Sequence, residues 1–166
     1  IVSIGSLYGS VSFGGEEVAK VLEAAKHANC ITVVDMMHAD RNSLEDASKC
    51  LKFVDYFIPN LKEAQCLTGK NNVEEISEVL LQTGVKCVVI KMGDKGCFIK
   101  SKNMNIDSQY IPAYASSKVI DTTGAGDAFV SGFISGIIDG LSPQEASKRG
   151  CSAGFLAISK VGATGA

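Results

Sequence analysis

Lys86-Cys-Val-Val-Ile-Lys91, KCVVIK, is the strongest strand signal in the chain. Its apolar core does not alternate with polar residues, as it would on a half-exposed sheet, so it suits a strand covered on both faces. Working outward, Ile1–Ser6, Ile31–Asp35 and Tyr56–Ile58 read as earlier strands. Helical spacing marks Glu16–His27, Ser43–Phe53 (capped by Asn42 or Ser43), Lys62–Thr68 and Val73–Thr83 between and after them, the last two closed by Gly69 and Gly84. Strand and helix alternate up to Lys91, which predicts parallel strands with crossover helices. Beyond Lys91, Cys97–Lys100 and Ser108–Pro112 read as strands of a hairpin, and Ala125–Asp139 and Pro143–Ser159 as closing helices. The expected fold is therefore a three-layer, doubly wound α/β domain over residues 1–166, mostly parallel with an antiparallel edge.

Composition excludes several classes. Hydrophobic residues make up 46% and charged residues 20%, ordinary for a globular domain. A net charge of −2 gives no basis for nucleic acid or an anionic membrane as partner. No apolar run reaches the ~18 residues that span a bilayer. None of the six cysteines lies in a C-x-x-C pair, and most sit in apolar runs, so reduced thiols and a cytoplasmic location are expected. His27 and His38 lack metal-ligand spacing. Ile1-Val-Ser-Ile-Gly5 reads as a strand under way and Gly162–Ala166 as a broken loop, so the chain reads as an excerpt of a larger protein.

Asp121-Thr-Thr-Gly-Ala-Gly-Asp-Ala-Phe-Val-Ser-Gly-Phe133 places glycines and a carboxylate at the mouth of an apolar helix. Such a helix start presents unpaired N–H groups and the positive end of the helix dipole. Asp127 falls in the first turn. A carboxylate beside an anion cradle makes sense if it takes a proton from a hydroxyl that attacks a bound phosphoryl group. The plainer alternative is a glycine turn capping a helix. Ala128, Gly132 and Gly136 give the helix a small-residue face at i, i+4, i+8, suited to close packing and a rigidly aimed N-terminus.

DTTGAGDAFVSGFI, Asp121–Ile134, resembles the C-terminal motif of the ribokinase-like (PfkB-type) carbohydrate kinases. The resemblance implies that Gly124, Ala125 and Gly126 form an anion hole and that Asp127 is the general base. It implies that Asp121 and the backbone of Thr123 border a monovalent, potassium-type cation site. Asn60-Leu-Lys-Glu63 reads first as a capping box; in the resembled family an Asn-x-x-Glu at this place holds the water shell of Mg²⁺ and reaches the ATP phosphates. Gly93 and Gly96 match a family G-x-x-G that packs against nucleotide. Lys91 stands where most members have threonine or serine, and its ammonium could instead meet phosphate charge.

Asp35 and Arg41 are similar to a family substrate segment that here lacks its Pro-Asn, and Asp35 could equally bond loop N–H groups. Cys151 matches the adenine-pocket region, and Lys160-Val-Gly-Ala163 resembles the loop closing over nucleotide and cation.

The resemblance implies an ATP-dependent kinase, with Mg²⁺ and a potassium-type ion as cofactors, that phosphorylates a hydroxyl of a sugar or sugar acid. Fructokinase, ribokinase and ketodeoxygluconate kinase are its types. The alternatives are a nucleoside, sugar phosphate or vitamin precursor as acceptor, or a catalytically silent nucleotide-binding regulator. A dinucleotide-binding dehydrogenase is not supported, because Ser3–Gly9 lacks a G-x-G-x-x-G. A small substrate and, at most, a second copy of the chain are the partners implied. The family's sugar-recognition and lid segments would lie before residue 1.

Overall fold

The computed structural model describes residues 1–10, 13–37, 44–102, 104, 106–114, 119–159 and 161–162. His38, Arg41, the Asn42 or Ser43 cap, and Lys160 and Ala163 lie outside them. The elements in chain order are β1 (Val2–Leu7), α1 (Gly15–His27), β2 (Thr32–Met36), α2 (Leu44–Leu51), β3 (Tyr56–Phe57), α3 (Leu61–Thr68), α4 (Val73–Gln82), β4 (Cys87–Lys91), a 3₁₀ turn (Gly93–Lys95), β5 (Cys97–Ser101), β6 (Ile106–Ile111), α5 (Ala125–Ile138) and α6 (Pro143–Ala157). The six strands form one sheet in sequential order. β1/β2, β2/β3 and β3/β4 are parallel, with Ile4 opposite Val34, Val34 opposite Phe57, and Phe57 opposite Val88. β4 and β5 are neighbours joined by only five residues, 92–96. That is too few for a crossover, so this pair is antiparallel.

The expected mixed α/β sheet is thus present, and KCVVIK holds its place in it. Val88, Val89 and Ile90 are fully buried, each contributing roughly 1.5–3 kcal/mol by leaving water. β6 differs from its expected span: it begins at Ile106, and Pro112, which has no N–H to donate, lies just beyond its end.

The chain divides into two compact units, residues 1–90 with 100–109, and 91–99 with 110–166. In the first, Leu22, Val33, Val34, Phe57, Ile58 and Leu80 form the core. Local chemistry ends its helices as the sequence predicts. Asn60 accepts from the Glu63 N–H at 2.9 Å, while the Glu63 carboxylate accepts from the Asn60 N–H at 2.8 Å. Gly69 stops α3 in the left-handed conformation at φ 67°. In the second unit Phe98 and Phe133 are fully buried, and Phe98 meets Tyr110 edge-on with ring centroids 4.9 Å apart. No helix among the described residues is long and apolar enough to cross a membrane.

A polar knot in the first unit was not foreseen. Asp55, 6% exposed, accepts from Lys26 at 2.6 Å, Lys86 at 2.8 Å and the Thr32 N–H at 2.8 Å. The Thr32 hydroxyl donates to Phe53 O at 2.7 Å, and its oxygen lies 3.0 Å from the Asp55 N–H. Burial raises the Asp55 pKa, but the bonds from Lys26, Lys86 and Thr32 outweigh it and hold the group below its ordinary range. A lowered folded-state pKa gives stability that is present above the unfolded value of about 3.9 and is lost as pH falls through the folded value. Asp55→Asn should therefore cost about 2 kcal/mol at pH 7. In urea titrations across pH, that difference should shrink as the medium is acidified below about pH 4.

Candidate active site

The second unit builds a site around the start of α5. Gly124 is its N-cap at φ 77°, a conformation costly for any residue with a side chain. The Ala125 N–H donates to Thr122 O at 3.2 Å, and the Ala128 N–H closes the first helical bond to Gly124 O at 2.9 Å. The amides of Gly126 and Asp127 lie between these two, where an α-helix offers no partner of its own. Asp127 is exposed in that first turn.

Close packing aims this helix end. A Cβ on Gly132 would stand 2.8 Å from Ala153 Cβ and 2.9 Å from Arg149 O. One on Gly136 would stand 2.8 Å from Ala146 Cα, and one on Gly150 2.9 Å from Phe129 O. Of the small-residue face predicted from Ala128, Gly132 and Gly136, the two glycines are therefore met by α6 at backbone distance. Arg149 and Asp139 add an ion pair across the same two helices.

Asp121 holds the approach to the helix. One carboxylate oxygen accepts from the Thr123 N–H at 2.9 Å, the other from the Gly162 N–H at 3.0 Å. The Thr123 backbone and hydroxyl, then Gly162, keep its pKa below the ordinary carboxylate range. Thr123 is thus engaged through its N–H.

A cavity of about 460 Å³ opens beside this turn. Of the residues singled out from sequence, Lys91, Gly93, Gly96, Ala125, Gly126 and Cys151 line it together. The ammonium of Lys91 lies 3.4 Å from where a Gly126 Cβ would sit, which brings a cation to the positive end of α5. Gly96, at φ 88°, could carry no side chain: a Cβ there would fall 2.0 Å from Ile111 O. Its N–H donates to Gly93 O at 3.0 Å and its carbonyl accepts from Met92 at 2.8 Å, closing the 3₁₀ turn.

Sequence reasoning missed much of the apolar wall. Tyr114, Val119, Phe155 and Ile158 line the cavity beside Phe129 of the Asp121–Ile134 motif, with the Tyr114 and Phe155 rings 6.1 Å apart. Phe155 lies four residues after Cys151, one turn along the same helix, and that spacing was the available signal.

Asn60 and Glu63 belong to the first unit and form the reciprocal cap of α3. The cap fixes the Glu63 carboxylate, the kind of ligand a hydrated hard cation takes. Among the described residues no group of three or more His, Cys, Asp or Glu could hold a metal ion. Asp35 is buried and accepts from the N–H of Met36, the last residue of β2, at 2.9 Å.

The profile of the family described as pfkB family carbohydrate kinase matches residues 3–166. The chain belongs to that family. The 2-dehydro-3-deoxygluconokinase of Bacillus subtilis is 37% identical over 108 residues, covering 65% of this chain and 32% of its own length. The crystal structure of ribokinase from Thermotoga maritima superposes with a TM-score of 0.77 at 30% identity, over 97% of this chain and 50% of that one. Arabidopsis thaliana ribokinase, complexed with ribose and ATP, gives 0.78 at 28% identity, over 88% of this chain and 47% of that one. The chain thus spans about a third to a half of the length of the curated relatives it matches.

If the glycine contacts aim α5, filling one should be costly. Gly136→Val should destabilise the protein by about 3 kcal/mol through overpacking, read as a lowered midpoint in chemical denaturation. A shift below about 0.5 kcal/mol would mean the two helices are not held at this distance.

Proposed function

We propose that the protein is an ATP-dependent kinase of a sugar or sugar acid, moving the γ-phosphoryl group of ATP to a hydroxyl. The observation that carries this is the cavity joining the aromatic wall of Tyr114 and Phe155 to Lys91 and the first turn of α5. Its apolar lining suits a nucleobase, and its cationic side suits phosphates. The relatives' names support the reading: a 2-dehydro-3-deoxygluconokinase, and a ribokinase solved with ribose and ATP. Six free cysteines suit a reducing, cytoplasmic setting.

In this mechanism the Gly126 and Asp127 amides hold the transferring phosphoryl oxygens, and Lys91 neutralises charge developing there. Gly124 and Ala125 shape the turn that presents those amides. Asp127 accepts the proton of the acceptor hydroxyl as its oxygen bonds to phosphorus. Gly93 and Gly96 let nucleotide approach the backbone, and Cys151 forms part of the same wall. Asn60 and Glu63 are the residues that would hold Mg²⁺ through water; when bound, such an ion neutralises phosphate charge. Asp121, kept ionised by its N–H donors, would with the Thr123 backbone border a potassium-type ion.

The test is ADP release from Mg-ATP by the full-length protein, with sugars, sugar acids, nucleosides and sugar phosphates as acceptors. Asp127→Asn should lower kcat at least ~10²-fold with KM little changed. Lys91→Gln should lower it roughly 10²-fold, the scale of one lost transition-state donor. No release by the wild type with any acceptor would sink the kinase reading.

A separate assay addresses the monovalent ion. Replacing potassium by tetramethylammonium at constant ionic strength should lower the rate. An unchanged rate would remove Asp121 and Thr123 from any cation role.

A further inference from the structure

Two thiols in the second unit stand apart from the other cysteines. Cys97 on β5 is fully buried and Cys151 on α6 is 7% exposed, yet their sulfurs lie 4.0 Å apart. A disulfide bond is about 2.05 Å long, so roughly 2 Å of approach would join them. Cys151 also lines the cavity, which offers a small oxidant a route to its sulfur. The hydrogen bond with Cys151, then burial, pushes the Cys97 thiol up, whereas the same bond pulls Cys151 below the usual thiol range. Cys151, which lines the cavity while Cys97 is fully buried, is therefore the member that an oxidant reaches first. Cys50 and Cys87 provide the contrast: both are buried, and burial pushes each thiol up to about 12.

We propose that Cys97 and Cys151 form a redox dithiol in the wall of the cavity, oxidised to a disulfide by a peroxide. The Cys151 sulfur attacks one peroxide oxygen, the O–O bond breaks, and the departing oxygen leaves as water, with a sulfenic acid on Cys151. The Cys97 sulfur then attacks the Cys151 sulfur, and the hydroxyl leaves as a second water. Two thiols and one hydrogen peroxide yield one disulfide and two waters, the sulfurs oxidised and the peroxide reduced. The bond would tie α6 to β5 beneath the cavity and draw in its wall. Its effect on ATP rests on reading that cavity as the nucleotide site; formation of the bond does not.

The test is limiting hydrogen peroxide on the intact protein, followed by alkylation and peptide mapping. The Cys97 and Cys151 peptides should be recovered joined, at least about tenfold faster than Cys50 or Cys87 loses its free thiol, because reactivity follows thiolate character and access. Dithiothreitol should reverse the change. Cys97→Ser should stop at a dimedone-trappable sulfenic acid on Cys151. Recovery of both peptides singly alkylated while the exposed Cys66 is oxidised would overturn the proposal, as would Cys151 over-oxidation without joining. The mapping uses the wild type, so it stands even if the variant folds poorly. Mg-ATP should slow the joining; joining at an unchanged rate would overturn the nucleotide reading of the cavity and leave the dithiol standing.

Discussion

Helices α5 and α6 meet at backbone distance because Gly132, Gly136 and Gly150 carry no side chain. A methyl group at any of the three would lie within 3 Å of an atom on the facing helix. This contact bears on the candidate site because that site lies at the start of α5, not along it. A helix N-terminus stabilises an anion only where its amides point, and packing that admits no extra atom keeps them pointing one way. The interior of the unit thus sets the aim of a surface turn.

Charge placement at that turn follows from the same geometry. Lys91 leaves β4 beside the Gly126 backbone, so a side-chain cation and the positive helix end share one small space. A cation beside a helix N-terminus is the kind of arrangement that suits phosphate. Asp127, in the same first turn, has the opposite sign and suits proton transfer better than anion binding. Asp121 acts one step back, with a carboxylate oxygen on each of two loop amides, Thr123 and Gly162.

Legibility in the sequence tracked the range of the interaction. The Asn60/Glu63 cap, the Gly69 stop and the buried run of β4 depend on neighbours a few residues away, and each was readable directly. The short hairpin connection after Lys91 was readable for the same reason. The Asp55 knot was not, because it gathers Lys26, Thr32 and Lys86 from separate segments that carry no shared pattern. Tyr114 and Phe155 were missed because an exposed aromatic becomes a pocket wall only when another element faces it. The nearness of Cys97 to Cys151, 54 residues apart, likewise has no sequence signature.

The sequence by itself determined the alternating α/β order, the helix ends, and the motif around Asp127 that marks the family, since these rest on local backbone preference and on residue type at fixed spacing. Only the tertiary structure decided that Lys91 meets Gly126, that Gly96 must lack a side chain against Ile111, that two thiols share a wall, and that apolar residues distant in sequence enclose one cavity. Those outcomes depend on which faces come together, and the packing of whole elements, not the preference of any one segment, selects them.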